Sequence, residues 1–281
     1  MKIAVTGGRG VLGINLLTKL VSLGHDVISL DRKYKPNTCI DGVVYVTHDI
    51  LKISELTMDN VDFIYHLAVV GVDKVSSFEN PDDVFRNIVI GTNSVIEFSK
   101  RNDCKLIYSG SASKFFNVNQ SPYTLFKSFA EELIRLHQIH FNLKADIATI
   151  YNLYGKCRRT KEEISGLLKA WNIRLQSSST VDICGDGDQV KDFIHIDDVV
   201  DGLILLLDDN QGAANWHLGS NQSYSVMDVF NFYKFNHPSI KYKKIKSEKT
   251  DNSDNKLLNS DFSKEYNWHP KNTLENYVQS L

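Results

Sequence analysis

Lys2-Ile3-Ala4-Val5-Thr6-Gly7-Gly8-Arg9-Gly10-Val11-Leu12-Gly13 opens the sequence with a short apolar run, spaced glycines and the beginning of an apolar repeat. Ile3-Ala4-Val5 reads as a buried strand, and Leu12 to Leu23 repeats its apolar residues at helical spacing before Gly24 closes the helix. Between them, glycines at Gly7, Gly10 and Gly13 let the chain turn sharply and bring backbone N–H groups against a diphosphate at the helix N-terminus. A glycine triplet alone is often just a loop. One placed directly after an apolar strand and directly before a helix selects a dinucleotide.

Working outward, a second strand runs from Asp26 to Leu30 and ends at Asp31, 18 residues past Gly13. A carboxylate there accepts hydrogen bonds from ribose hydroxyls and repels a 2′-phosphate, which favours NAD over NADP. Arg32 and Lys33 next door argue the other way, since either could swing toward a phosphate. Further strands are expected at Val43 to Val46, Val61 to His66, Lys105 to Tyr108 and Ala145 to Ile150, with helices at Asn80 to Arg101 and Pro122 to Phe141. Pro81 and Pro122 suit helix starts. This alternation predicts an α/β fold, a doubly wound parallel sheet covered by helices on both faces.

Beyond Gly155 the alternation loosens into a helix at Ile164 to Leu175, a strand at Val181 to Cys184, a run at Phe193-Ile194-His195 and a helix at Val199 to Asp208. Lys241 to Asn259, dense in Lys, Ser, Asp and Asn, reads as an irregular loop. The expected organisation is a dinucleotide-binding domain over 1–155, to which 193–218 returns, and a smaller α/β substrate domain from 156–192 and 219–281.

Composition narrows the function classes. The 281 residues are 42% hydrophobic and 23% charged, the balance of a globular chain large enough to need no disulfide or structural metal. Lys plus Arg number 32 against 34 for Asp plus Glu, so no basic field marks nucleic acid or an anionic membrane as the main partner. Cys39, Cys104, Cys157 and Cys184 form no metal-ligand spacing and suggest a reducing compartment. The first apolar run is too short for a signal peptide core, and no run approaches a membrane span, so a cytoplasmic location is expected.

Tyr123-Thr124-Leu125-Phe126-Lys127 places a phenol and an ammonium on one face of the helix that starts at Ser121-Pro122. A nearby cation favours phenolate, which would bring the tyrosine toward the working range of a general base.

Together with the glycine turn, this pair resembles the extended short-chain dehydrogenase/reductase family, in its branch of NAD-dependent epimerases and dehydratases acting on nucleotide sugars. The likeness runs almost the whole length. His66-Leu67-Ala68 is similar to the motif lining the cofactor, and Asp49-Ile50 to the pair that meets the adenine. Glu79-Asn80-Pro81 and Asn87-Ile88-Val89-Ile90-Gly91-Thr92 resemble the helix that follows, Asn87 being implied in the cofactor site with Val11, Leu12 and Arg32. Tyr108-Ser109-Gly110-Ser111-Ala112-Ser113 resembles the serine-rich strand end, with Ser111 at the place of the catalytic hydroxyl. Tyr151-Asn152-Leu153-Tyr154-Gly155 implies that Asn152 faces the substrate phosphates. Gly185 to Val199 is similar to a substrate-domain signature, and Asp261-Phe262-Ser263-Lys264 with Trp268-His269-Pro270 to the closing helix and turn, where a structural role is expected for Trp268 and Pro270.

Three departures stand out. Lys191 replaces an arginine, exchanging a bidentate phosphate fork for a point charge. Ser111 and Tyr123 are only 12 residues apart, and Lys114-Phe115-Phe116 replaces Val-Tyr-Gly. Apart from these three, Ser111-Ala112-Ser113 contains no carboxylic acid, which a dehydratase needs to eliminate water beside the oxidised carbon.

The resemblance therefore implies redox at one sugar carbon of a nucleotide-diphosphate sugar, with Tyr123 exchanging the hydroxyl proton, Ser111 bonding the same oxygen and Lys127 holding the ribose. An NAD-dependent epimerase acting at C4 leads, a ketosugar reductase drawing on NAD(P)H is the alternative, and a non-catalytic dinucleotide sensor or scaffold is a third. The resemblance also implies a homodimer, pairing the helices at Asn80 to Arg101 and Pro122 to Phe141 with their copies.

Overall fold

A computed structural model describes residues 1–32, 39–69, 76–115, 117–208, 215–246 and 261–281. Lys33, Phe116 and most of the 241–259 segment lie outside the described residues. In chain order the strands are β1 (Lys2–Thr6), β2 (Asp26–Asp31), β3 (Val43–Thr47), β4 (Phe63–His66), β5 (Lys105–Ser111), β6 (Ala145–Ile150), β7 (Asn152–Tyr154), β8 (Thr180–Cys184), β9 (Val190–His195), β10 (Asn215–Leu218), β11 (Ser223–Ser225) and β12 (Lys241–Ile245). The helices are α1 (Val11–Ser22), α2 (Pro81–Phe85), α3 (Gly91–Arg101), α4 (Pro122–Phe141), α5 (Gly166–Leu175), α6 (Ile196–Leu205), α7 (Val226–Tyr233), α8 (Asp261–Glu265) and α9 (Leu274–Gln279).

Seven strands make one parallel sheet in the order β3-β2-β1-β4-β5-β6-β10. The connections run outward in opposite directions from the β1/β4 pair, which opens a crevice beyond the carboxyl ends of these strands. This is the doubly wound, Rossmann-type arrangement that the strand and helix alternation predicts. Ile3, Val5, Leu16, Leu17 and Leu20 join α6 residues in a core on one face of the sheet, while Ala4, Ile64, Ile96, Leu106 and Ile134 join a second core on the other. Alternate β1 residues thus serve opposite faces, as the two-residue period of a strand requires.

A smaller region carries β11-β9-β7 and the parallel pair β12-β8. Trp171, Ile183, Phe193, Phe230 and Val278 pack there as a third core. β10 joins the large sheet beside β6 although it comes some sixty residues later, and α6 packs against α1.

Three elements differ from expectation. The helix expected at Val199 starts at Ile196 and ends at Leu205, because Nδ1 of His195 accepts from the Asp197 N–H and two acidic residues, Asp197 and Asp198, fill the first turn where the helix dipole favours them. Periodicity of apolar residues does not register an acidic first turn. The helix expected over Asn80 to Arg101 is α2 and α3 joined through a π turn at Arg86–Ile90. Lys241–Ile245, expected as irregular, is a strand; all five residues are exposed, so only backbone pairing with β8 defines it, and no apolar pattern announces it.

Candidate functional site

The glycine turn works by close approach. Gly7 sits at φ +73°, where L side chains are strained, and a Cβ there would lie 2.7 Å from the Ala68 nitrogen. A Cβ on Gly13 would lie 2.3 Å from the Gly7 carbonyl oxygen, so the third glycine is what lets α1 start against the turn. Gly10 caps α1 without a side-chain acceptor, and no acid stands in the first turn, with Val11 and Leu12 opening the helix. The first N–H groups of α1 are thereby left to an anion.

In front of the turn opens a cleft of about 420 Å³, lined by Gly7, Gly10, Asp31, Arg32, Asp49, Ile50, Leu67, Ala68 and Asn87, each expected from the sequence, and by Arg9, Leu30, His48, Ile53 and Val69, which were not. Apolar walls, a turn of N–H groups and a carboxylate at the strand end suit the adenine, diphosphate and ribose of a dinucleotide. Asp31 is already engaged: Oδ1 accepts from the Arg9 N–H at 3.2 Å and Oδ2 from the Ser29 hydroxyl at 2.6 Å, with the Arg9 guanidinium 3.9 Å away. That guanidinium is buried 4.1 Å over the Tyr45 ring. Asp49 Oδ1 caps the turn that follows, accepting from the Leu51 N–H at 3.0 Å.

The second cluster joins the end of β5 to α4. Ser121 caps α4, its hydroxyl accepting from the Thr124 N–H at 3.1 Å, and Pro122 fills the first turn. Tyr123 and Lys127 then fall on one face. Ser111 acts on the Tyr123 phenol in the direction of phenolate, and its hydroxyl lies 2.9 Å from that of Ser113. Lys127 Nζ donates to the Ser109 carbonyl at 2.5 Å and sits 4.1 Å above the Tyr108 ring. Burial pulls the Lys127 ammonium down to about 7 against the opposing charge of Glu131, and Lys114 adds to the lowering. Tyr123 departs from the depressed value expected of a phenol beside a lysine. Burial raises it, Ser111 opposes that, and the Glu131 charge adds to it.

Below the pair, His66 is buried, and burial followed by the Lys127 charge pulls it down to about 3. Its neutral tautomer follows from its partners. The Thr92 hydroxyl spends its proton on the Ile88 carbonyl at 2.5 Å, so His66 Nε2 donates to Thr92 at 3.1 Å and Nδ1 accepts from Thr6 at 2.9 Å. Asn152 Nδ2 donates to the Asp192 carbonyl at 2.7 Å, which fastens β7 to β9, the strand that carries Lys191. Neither Asn152 nor Lys191 lines the dinucleotide cleft. Trp268 is buried, donating to the Asp198 carbonyl at 3.2 Å.

Among known proteins, UDP-glucuronic acid decarboxylase 1 of Arabidopsis thaliana is 25% identical, covering 98% of this chain and 67% of that protein. A Methanocaldococcus jannaschii protein provisionally named UDP-glucose 4-epimerase is 26% identical, covering 83% of this chain and 81% of that protein. The solved UDP-glucose 4-epimerase of Thermotoga maritima has the same fold, with a TM-score of 0.85 and 23% identity over 99% of this chain and 96% of that one. The glycine turn at the β1/β4 crevice and the tyrosine and lysine on α4 both fall inside residues 3–219, which match the NAD dependent epimerase/dehydratase family, and the chain belongs to that family.

Proposed function

We propose that this chain is an NAD-dependent nucleotide-sugar epimerase that acts by transient oxidation at a sugar carbon, C4. The observation that carries the reading is Tyr123 on one face of α4 with Lys127 one turn on, beside the Ser111 end of β5, with no acid in Ser111-Ala112-Ser113. The similar proteins named as UDP-sugar epimerases and decarboxylases support a nucleotide-diphosphate sugar as substrate. Gly7, Gly10, Val11, Leu12 and Gly13 would hold the diphosphate, Asp31 and Arg32 the adenosine ribose, and Asp49, Ile50, Leu67, Ala68 and Asn87 the remaining wall. Asn152 and Lys191 would meet the substrate phosphates.

When bound, the dinucleotide would supply the hydride acceptor and donor. Tyr123 takes the proton of the C4 hydroxyl as the sugar is oxidised and returns it after the transient ketone is reduced from its other face. Ser111 bonds the same oxygen and keeps it in reach of the phenol. Lys127 has three donors, one of them on Ser109, which leaves others for ribose hydroxyls. In its charged form it favours phenolate and works against the rise that burial imposes on Tyr123.

One second reading has an observation behind it, the relatives named as decarboxylases of UDP-uronic acids. A uronate oxidised at C4 is a β-keto acid, which can lose carbon dioxide before any hydride returns. Both readings share the oxidation step, and product mass separates them.

The organisation that goes with this function is a dinucleotide-binding domain over 1–155 with 193–218, and a substrate domain from 156–192 and 219–281. A homodimer through α2–α3 and α4 accompanies it. Thermal melting against UDP-, GDP-, CDP- and dTDP-sugars, each with NAD or NADP, tests the substrate class, because a ligand that binds only the folded state raises its melting temperature. If no nucleotide sugar raises it with either dinucleotide, the reading fails.

A further inference from the structure

Behind Tyr123 and Lys127, the same face of α4 carries a buried carboxylate that the proposed chemistry does not use. Glu131 is one turn beyond Lys127, and its side chain is 1% exposed. Oε1 accepts from the Ser111 N–H at 3.3 Å and occupies the space a Cβ on Gly110 would need, 2.9 Å away. Oε2 pairs directly with Lys114 Nζ and lies 3.4 Å from Arg135 Nη2. Lys114 is the first residue of the Lys114-Phe115-Phe116 departure, and its side chain is 10% exposed. Arg135 is a third exposed and is also held by Glu132, so Lys114 is the buried counter-charge.

We propose that Glu131 is a positioning residue that ties the Ser111 end of β5 to the helix bearing Tyr123 and Lys127, with Lys114 as the buried counter-charge that limits how strongly its carboxylate acts on the phenol. An apolar side chain at 114 would leave a buried anion two turns from Tyr123, without its direct partner and facing only the more distant Lys127 and the partly solvated Arg135. With Lys114 in place the anion still bonds the Ser111 backbone, and its effect on the phenol is offset in part. The charged and titratable groups that act on Tyr123 are Glu131 on its own helix and Tyr108 on β5; Lys127, one turn on, is acted on in turn by Glu131 and by Lys114 on the turn after β5. His66 on β4 couples in through Lys127.

The inference rests on Tyr123 as the proton-transfer group, but its test reads the phenol and needs no turnover. Protein labelled with 3-fluorotyrosine, whose phenol is more acidic than that of tyrosine, is titrated by fluorine NMR, and the Tyr123 resonance is assigned by its loss in Tyr123→Phe. Lys114→Met should move the Tyr123 midpoint up by about one pH unit, tenfold less phenolate at a given pH. Glu131→Gln should move it down, and Lys114→Met/Glu131→Gln should return it close to wild type, because both pairs carry no net charge. Lys114→Arg should leave it in place. If the buried anion without its partner stops Lys114→Met from folding, Glu131→Gln and the double variant decide. A midpoint unmoved in Glu131→Gln, or a folded Lys114→Met that titrates like wild type, overturns the proposal. Unimpaired turnover by Tyr123→Phe would instead overturn the proposed function and leave the titration result standing.

Discussion

Asp31 meets a cation that its place in the sequence does not announce. Its carboxylate should accept from ribose hydroxyls and repel a 2′-phosphate, yet the Arg9 guanidinium lies 3.9 Å away and is fixed on the Tyr45 ring. Calorimetry should find NAD tighter than NADP in the wild type, and Asp31→Ala should narrow that preference about tenfold or reverse it, since Arg9 and Arg32 remain to attract a phosphate. A wild-type preference for NADP would make the ketosugar reductase the leading reading. Lys127 is held at a cost to stability. Its ammonium is pulled to about 7 in the fold and titrates at its ordinary value in the unfolded chain, so the penalty is full below pH 7 and fades as pH rises toward the unfolded value. Lys127→Met should therefore unfold on the order of 2 kcal/mol less readily than wild type below pH 7, with the difference closing in the alkaline range, as melting curves across pH would read. The turn of glycines between β1 and α1, and the shared helix face of Tyr123 and Lys127, were legible because each follows from local spacing. The contacts of Arg9 with Tyr45 and of Lys127 with Ser109 join residues far apart in the chain, and no spacing rule encodes them.

At the scale of elements, α1 depends on the third glycine of the turn. A methyl group on Gly13 would collide with the backbone of Gly7 and Gly8, neither of which is a flexible side-chain end that can swing away. Gly13→Ala should lower stability by about 2–4 kcal/mol and weaken dinucleotide binding at least tenfold, read by denaturant melts and calorimetry. α4 serves two faces: Phe126 and Leu133 pack against the second core, whereas Phe129, Leu136, Ile139 and Phe141 are exposed on it, with Phe85 and Ile90 exposed on the neighbouring α2 and π turn. Such a concentration of exposed apolar side chains fits the proposed pairing with a second copy. Sedimentation at micromolar concentration should find a dimer, and Ile139→Asp with Phe129→Asp should shift it to the 31.9 kDa monomer; a wild type that sediments only as monomer would rule the pairing out. Elements with an apolar period were legible to within a few residues, α4 and β6 to the residue. α6 was displaced because its first turn is acidic, and β12 was missed because an edge strand of exposed lysines carries no such period.

Across the whole molecule, the large sheet brings two chemistries to one edge: the glycine turn after β1 and the Ser111 end of β5, with α4 supplying Tyr123 and Lys127 beside it. Parallel strand order follows from alternating strands and helices, and that much was legible. β10 pairs with β6, and β12 with β8, through contacts between distant parts of the chain that no local period encodes. The central claim is that this edge oxidises and re-reduces one sugar carbon with Tyr123 as the acid/base. The most direct test is proton NMR of UDP-sugars incubated with the protein and substoichiometric NAD, in wild type and in Tyr123→Phe. The account predicts that the C4 epimer accumulates without net consumption of the dinucleotide, and that Tyr123→Phe is slower by about 10²–10⁴-fold while binding NAD within a few-fold of wild type. Turnover that consumes reduced dinucleotide mole for mole, or an undiminished rate in Tyr123→Phe, would contradict it.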